Sequence, residues 1–424
     1  MDCDPSKVHE FANDMKSFSE QTERFAATLR DKGDKQLRKE WQDEVGEKAS
    51  SEFKTLAERA DDLAVMGRTA VIVLNAFGDA IEVAQRSLRS YTEIARTKGL
   101  EVDAEGHVSL SQVSQKSLTA EQQDKVLYYR TEFQTLINDA LKAVREADEL
   151  CEKALGRVSV DPDSVSESDV EKAQTESVHD ALELFRNQLP DGLSAEQQEA
   201  WWNSLTPEQR REFQKAVPVE LAALPGISEN VKDQMRRLDQ GFDAVKTVDW
   251  VYKNWNNDDV DTMKNNCTNF VSSALNEGGG LTYMAPKEDV VAGFVMPKVS
   301  DGWIRTPAAE YRFGYPERYG TSPAWGAAQN NMDFFLKHGG TKLNPNEVLP
   351  GDIVYWEEKV PSGDKNQGAV QHAAVVTAVL PKGQILYGQQ NSPGLNLDAE
   401  GRAAGIANHT GGKNLHYVRP KKIW

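Results

Sequence analysis

From Leu37 to Ile94 the chain carries Leu37, Trp41, Val45, Phe53, Leu56, Leu63, Leu88 and Ile94 at helical spacing, with no proline between them. Such a stretch cannot be broken into strands and turns, so it predicts one very long helix. Before it, Phe11, Met15, Phe18, Phe25 and Leu29 recur at spacings of three, four and seven, then pause at Lys32-Gly33-Asp34. That pattern predicts a first helix and a break. After a polar connector, Gly99 to about Thr119, the period returns through Val126, Phe133, Ile137, Leu141 and Val144 as far as Leu155. Residues 1–157 therefore read as an all-α hairpin or bundle with a core of aromatics and leucines, and no catalytic pattern.

A chain of 424 residues exceeds one ordinary core, so two or three domains are expected. VSVDPDSV, Val158 to Val165, reads as a linker opening a helical adaptor over 158–244. There Thr206-Pro207-Glu208 starts a helix, Leu224-Pro225-Gly226 turns into another at Ser228, and Trp201 and Trp202 read as packing residues. Over 245–424 glycine, asparagine and short β-type runs increase, which predicts an α+β domain.

A net charge of −17 argues against a nucleic-acid partner. With no run of about 18 apolar residues, no membrane span is expected. The opening MDCDPSKVHEFANDM lacks the basic and apolar regions of a general secretory signal. Cys3, Cys151 and Cys267 are far apart and show no metal-ligand spacing, so neither a disulfide framework nor a zinc site is predicted, and no other metal or organic cofactor is expected for thiol-based chemistry. Any cysteine chemistry should be that of one thiol.

The stretch NNCTNFVSSALNEGGG supplies a candidate. Asn265-Asn266 reads as a helix cap, Phe270, Val271, Ala274 and Leu275 as its apolar face, and Gly278 to Gly280 as its stop. Cys267 then falls in the first turn, where free N–H groups and the helix dipole favour a thiolate. A buried structural cysteine is the alternative. A base is offered by VQHAAVVTAV, Val370 to Val379, which a short loop joins to QILYGQQN. In a tight hairpin, facing residues have numbers summing to about 764. His372 would then lie opposite 391–393, beside Asn391 and near Gln389, while His409 is a rival base.

The ordered motifs CTNFVSSAL, TSPAWGAAQNNMDFFLKHGG, LPGDIVYW, QHAAVVTAV and LYGQQNS closely resemble the amidase-domain family of bacterial papain-like hydrolases, over about residues 245–424. The resemblance implies a papain-like fold with Cys267 as nucleophile, His372 as general base and Asn391 as the orienting third residue. It implies an oxyanion held by the Cys267 N–H and the Asn265 or Asn266 side chain, with Gln389, Trp325 and Trp356 near the cleft. Asn266 stands where the family usually has aspartate. Asp352 reads as a turn residue or as a substrate contact.

Two further resemblances concern location. Trp41 followed by Gly46 within two long helices is similar to the WXG/LXG-like hairpins of type VII secretion substrates, and Tyr128 and Glu132 match a Tyr-x-x-x-Asp/Glu export signal. The segment 201–237 resembles an adaptor of actinobacterial secretion-associated proteins. Together these imply a multidomain exported cell-wall amidase or toxin that leaves the cytoplasm without a signal peptide. Expected partners are peptidoglycan peptide as substrate, the secretion machinery and an immunity protein. A protein or small-molecule amide, or a catalytically decayed interaction role, are the alternatives.

Overall fold

The structure, a computed structural model, describes residues 3–159, 166–260, 263, 266–284, 288–291, 294–297, 302–305, 321–359, 367–401 and 413–424. The chain forms two compact units, Met1–Phe213 with Leu224–Ile227, and Gln214–Ala223 with Ser228–Trp424.

The first unit is helical. Helix α1 (Pro5–Thr28) starts under Asp4, whose carboxylate accepts from Ser6 N–H at 3.0 Å. The helical path then runs on through a wide π-type turn, Leu29–Gln36, and breaks at Trp41, where φ is −128° and ψ 96°. Asp43 restarts it by accepting from Gly46 N–H at 2.9 Å, opening the 54-residue α2 (Glu44–Thr97). The break thus falls later than Lys32-Gly33-Asp34. Gly33 serves packing instead, since a Cβ there would lie 2.6 Å from the Phe53 ring, and a Cβ at Gly46 would meet the Trp41 carbonyl at 2.2 Å.

The expected aromatic core does not hold α1 to α2. α1 buries Ala12, Ser19 and Ala26, with the Ser19 hydroxyl donating to the Ala64 carbonyl at 2.7 Å and Gly67 lying opposite Ser19. Helices meeting through such small residues leave no room for phenylalanine. Phe11, Phe18 and Phe25, one position earlier in the same seven-residue repeat, therefore stand 52%, 42% and 52% exposed. Larger side chains fill the core further along, where α3 (Ala120–Val158) sets Phe133, Leu136 and Ile137 in a cluster with Tyr91 and Leu100. α4 (Glu167–Arg186) packs on α2 and α3.

The polar connector is more ordered than its composition implies. Leu100–Val102 (β1) and Val108–Leu110 (β2) pair antiparallel, because burying Leu100 and Val108 fixes a register. Among the described residues α2 is the one helix long and apolar enough to cross a bilayer, but 78% of its apolar window is buried, as in a core helix. Tyr128 on α3 is exposed, and Glu132 one turn on accepts from Gln197 Nε2 at 3.0 Å. Trp201 and Trp202 are buried, Trp201 edge-on to Phe213 at 5.1 Å. Cys151 is buried too, and burial pushes its thiol up to about 11. Residues 160–165 of the linker stretch lie outside the described residues.

The second unit is built on a six-stranded antiparallel sheet. Its strands in chain order are β3 (Thr341–Leu343), β4 (Ile353–Glu358), β5 (Val370–Leu380), β6 (Gln384–Gln389), β7 (Gly394–Asp398) and β8 (Lys413–Arg419). They lie side by side as β3-β8-β4-β5-β6-β7. Alternate residues of β4 and β5 divide between two cores. Ile353, Tyr355, Ala373 and Val375 join the helices α5 (Ala244–Asn254), α6 (Cys267–Ser273) and α7 (Ala328–Lys337) through Val251, Phe270, Val271 and Phe335. Val354, Trp356, Ala374 and Val376 join Ile385, Tyr387 and Tyr417.

α6 ends in a wide turn, Ala274–Gly278, that lies hard against α5. A Cβ at Gly278 would sit 2.5 Å from the Trp250 Cβ, and one at Gly279 would sit 2.3 Å from the Thr247 hydroxyl. The glycine run is thus a helix stop and a close-contact surface at once.

Candidate functional site

Every residue of α6 is buried, and the helix packs against β5 and β6. Cys267 is its first residue, and its sulfur lies 3.7 Å from the Thr268 hydroxyl. Asn266 takes the cap position, yet its side chain makes no capping bond. It is spent sideways on a buried amide network, and the residue's own N–H donates to Asn391 Oδ1 at 2.8 Å.

That network has a fixed direction. Trp325 Nε1–H, which can only donate, bonds Asn269 Oδ1 at 2.7 Å. Asn269 Nδ2 then donates to Asn266 Oδ1 at 2.7 Å, and Asn266 Nδ2 to the Val260 carbonyl at 3.0 Å and to Gln390 Oε1. Gln390 Nε2 closes the series on the Asn257 carbonyl at 2.8 Å. With a pure donor at one end and backbone carbonyls at the other, each amide between them has one workable orientation. All four side chains are at least 98% buried.

His372 sits on β5, its ring edge-on to Trp356 at 5.1 Å. Its Nε2 is 2.8 Å from Gln389 Oε1. Gln389 Nε2 donates to the Ser392 carbonyl at 2.8 Å, so the Gln389 oxygen must face the ring. Nε2 is therefore the protonated nitrogen of the neutral imidazole, which leaves Nδ1 as its basic nitrogen.

The hairpin register explains which amide meets the histidine. Leu380↔Gln384 and Val379↔Ile385 pair as the three-residue loop requires, but a bulge between Val376 and Ala378 shifts the register to Val376↔Tyr387. β6 ends at Gln389, and Asn391 and Ser392 turn away with φ of 70° and 87°. Asn391, expected beside the imidazole, accordingly gives its oxygen to Asn266, and Gln389 supplies the amide at the ring. Gln389→Leu should lower kcat for amide hydrolysis roughly 100-fold by freeing the imidazole, and Asn391→Ala should cost less, about tenfold. Steady-state kinetics that reverse this order would contradict the arrangement.

The other expected residues sort as follows. Trp325 is fully buried with its ring tilted against Trp303 at 4.8 Å, and Trp356 is buried between His372 and Tyr387, so both pack. Asp352 is fully buried, accepting from Arg237 Nη1 at 2.7 Å, Arg419 Nη2 at 2.8 Å and Leu349 N–H at 2.9 Å. That makes it a clamp in the sheet, with Gly351 before it at φ 87°. Asn265 and His409 lie outside the described residues. Sequence reasoning missed Asn269 and Gln390. For Asn269 a signal existed, since it lies one turn after Asn266, beside the apolar face that Phe270 and Val271 begin.

Comparison with known proteins bears on the whole region. A search of curated proteins returns no match, and neither does a search of solved structures. One family model, described as a putative amidase domain, matches residues 241–409, a span that holds Cys267, His372, Gln389 and Asn391. This part of the chain is thus similar to a putative amidase domain, and amide hydrolysis is the chemistry that the family description names.

Proposed function

We propose that the second unit is a papain-like cysteine amide hydrolase. His372 Nδ1 takes the Cys267 thiol proton, and the thiolate attacks the amide carbonyl carbon. The developing oxyanion is met by the Cys267 backbone N–H. His372 then hands the proton to the leaving amine, a thioester remains, and water activated by His372 releases the acid and regenerates the thiol. The observation that carries this reading is the Gln389 carboxamide, whose orientation puts the ring proton on Nε2 and so makes Nδ1 the basic nitrogen. The neighbouring residues Gln390 and Asn391 hold the start of the helix that carries the sulfur.

The substrate we propose is an amide of peptidoglycan, cut by a protein exported through a type VII route. Its support is the ordered resemblance of the C-terminal motifs, together with a helical first unit that shows Tyr128 to solvent. Digestion of peptidoglycan by the purified chain, followed by mass spectrometry of the muropeptides, should reveal products that have gained one water with a new amine and carboxyl. Intact muropeptides alongside a cleaved peptide amide would move the substrate to protein. Neither substrate cleaved, with an unreactive thiol, would leave the decayed reading.

A further inference from the structure

The residue before the cysteine makes three side-chain hydrogen bonds, its N–H donates to Asn391 and its carbonyl accepts from Phe270 N–H, and of these partners Asn269 and Phe270 alone lie in its own turn of helix. Two of them, Gln390 and Asn391, directly follow the glutamine that holds the imidazole. The sulfur's helix and the histidine's partner are thus joined through consecutive residues. We infer that Asn266 and Gln390 form a positioning pair, a buried amide clasp that sets Cys267 at its working separation from His372. This rests on the cysteine reading above.

The clasp accounts for asparagine at 266. The side chain must accept from Asn269 and donate to both the Val260 carbonyl and Gln390. An aspartate accepts in every direction, so it would turn a carboxylate oxygen toward two other oxygens at a fully buried point. The helix start would swing to relieve that contact, and the sulfur would move with it. Gln390 is constrained in the same way, because its nitrogen is spent on the Asn257 carbonyl and its oxygen is the acceptor left for Asn266. An imidazolium at 390 has two donors, one for Asn257 and one for a carboxylate at 266.

The test reads Cys267 itself, by mass spectrometry of its peptide during alkylation with iodoacetamide at pH 7, together with kcat and KM on the best muropeptide substrate. Asn266→Asp and Gln390→Met should each slow alkylation about tenfold or more, and lower kcat with KM nearly unchanged. The double variant Asn266→Asp, Gln390→His should react several-fold faster than the worse single variant, short of the parent because the Val260 carbonyl still faces the carboxylate, a recovery that lost packing alone would not give. If Asn266→Asp unfolds by circular dichroism, Gln390→Met and the double variant still decide. Single variants at the parent rate, or a double variant no better than the worse single, would overturn the clasp while leaving the cysteine reading intact. A parent Cys267 no faster than free cysteine would remove that reading and the clasp together.

Discussion

Cys267→Ala should abolish amide hydrolysis, lowering kcat roughly 10⁴-fold or more while leaving the melting temperature within a few degrees of the parent. The site occupied by the sulfur is buried, but alanine fills most of a thiol's volume, and among the described residues the sulfur's polar contact is with the Thr268 hydroxyl. His372→Ala should lose nearly as much, because a thiol without a base is mostly protonated at neutral pH. The two losses should not add, since each residue works only through the other, so the double variant should resemble either single one. Stopped or steady-state assays on muropeptides would show this. Full activity in Cys267→Ala would sink the covalent mechanism outright.

The second large effect concerns stability. Asp352→Ala should cost about 3–5 kcal/mol, because it strands two guanidinium groups around a buried point in the sheet. Arg237 and Arg419 are 9% and 22% exposed in their side chains and Asp352 is fully buried, so water cannot easily replace the carboxylate. The Leu349 N–H also loses its acceptor. The exposed pair Lys253–Asp249 is a suitable control and should be worth less than about 1 kcal/mol. Urea denaturation of both variants measures the contrast, and equal, small losses would show that Asp352 is no clamp.

Much of this architecture was legible in the residues. The α+β character and the strand at VQHAAVVTAV followed from short β-type apolar runs, which are buried almost throughout, and α6 followed from the spacing of Phe270, Val271, Ala274 and Leu275. What could not be read depends on non-local geometry. The bulge at Thr377 and the left-handed turn at Asn391 decide that Gln389 meets the imidazole, and neither leaves a mark in a hydrophobic pattern. The exposed phenylalanines of α1 were misread for a related reason. Their seven-residue spacing is shared with Ala12, Ser19 and Ala26, and which stripe faces α2 depends on how closely the two helices approach.

Gln389, Gln390 and Asn391 point in turn toward the histidine, the buried amides and the backbone just ahead of the cysteine. Their functions are assigned by their order at the end of a strand and in the turn that follows it, so inserting a single residue after Gly388 would exchange the tenants of neighbouring seats. Composition would be almost unchanged, yet both ends of the machinery would lose their fastenings at once. A deletion elsewhere in this unit could be absorbed by a loop, but at this tripeptide the length of the chain is itself part of the mechanism.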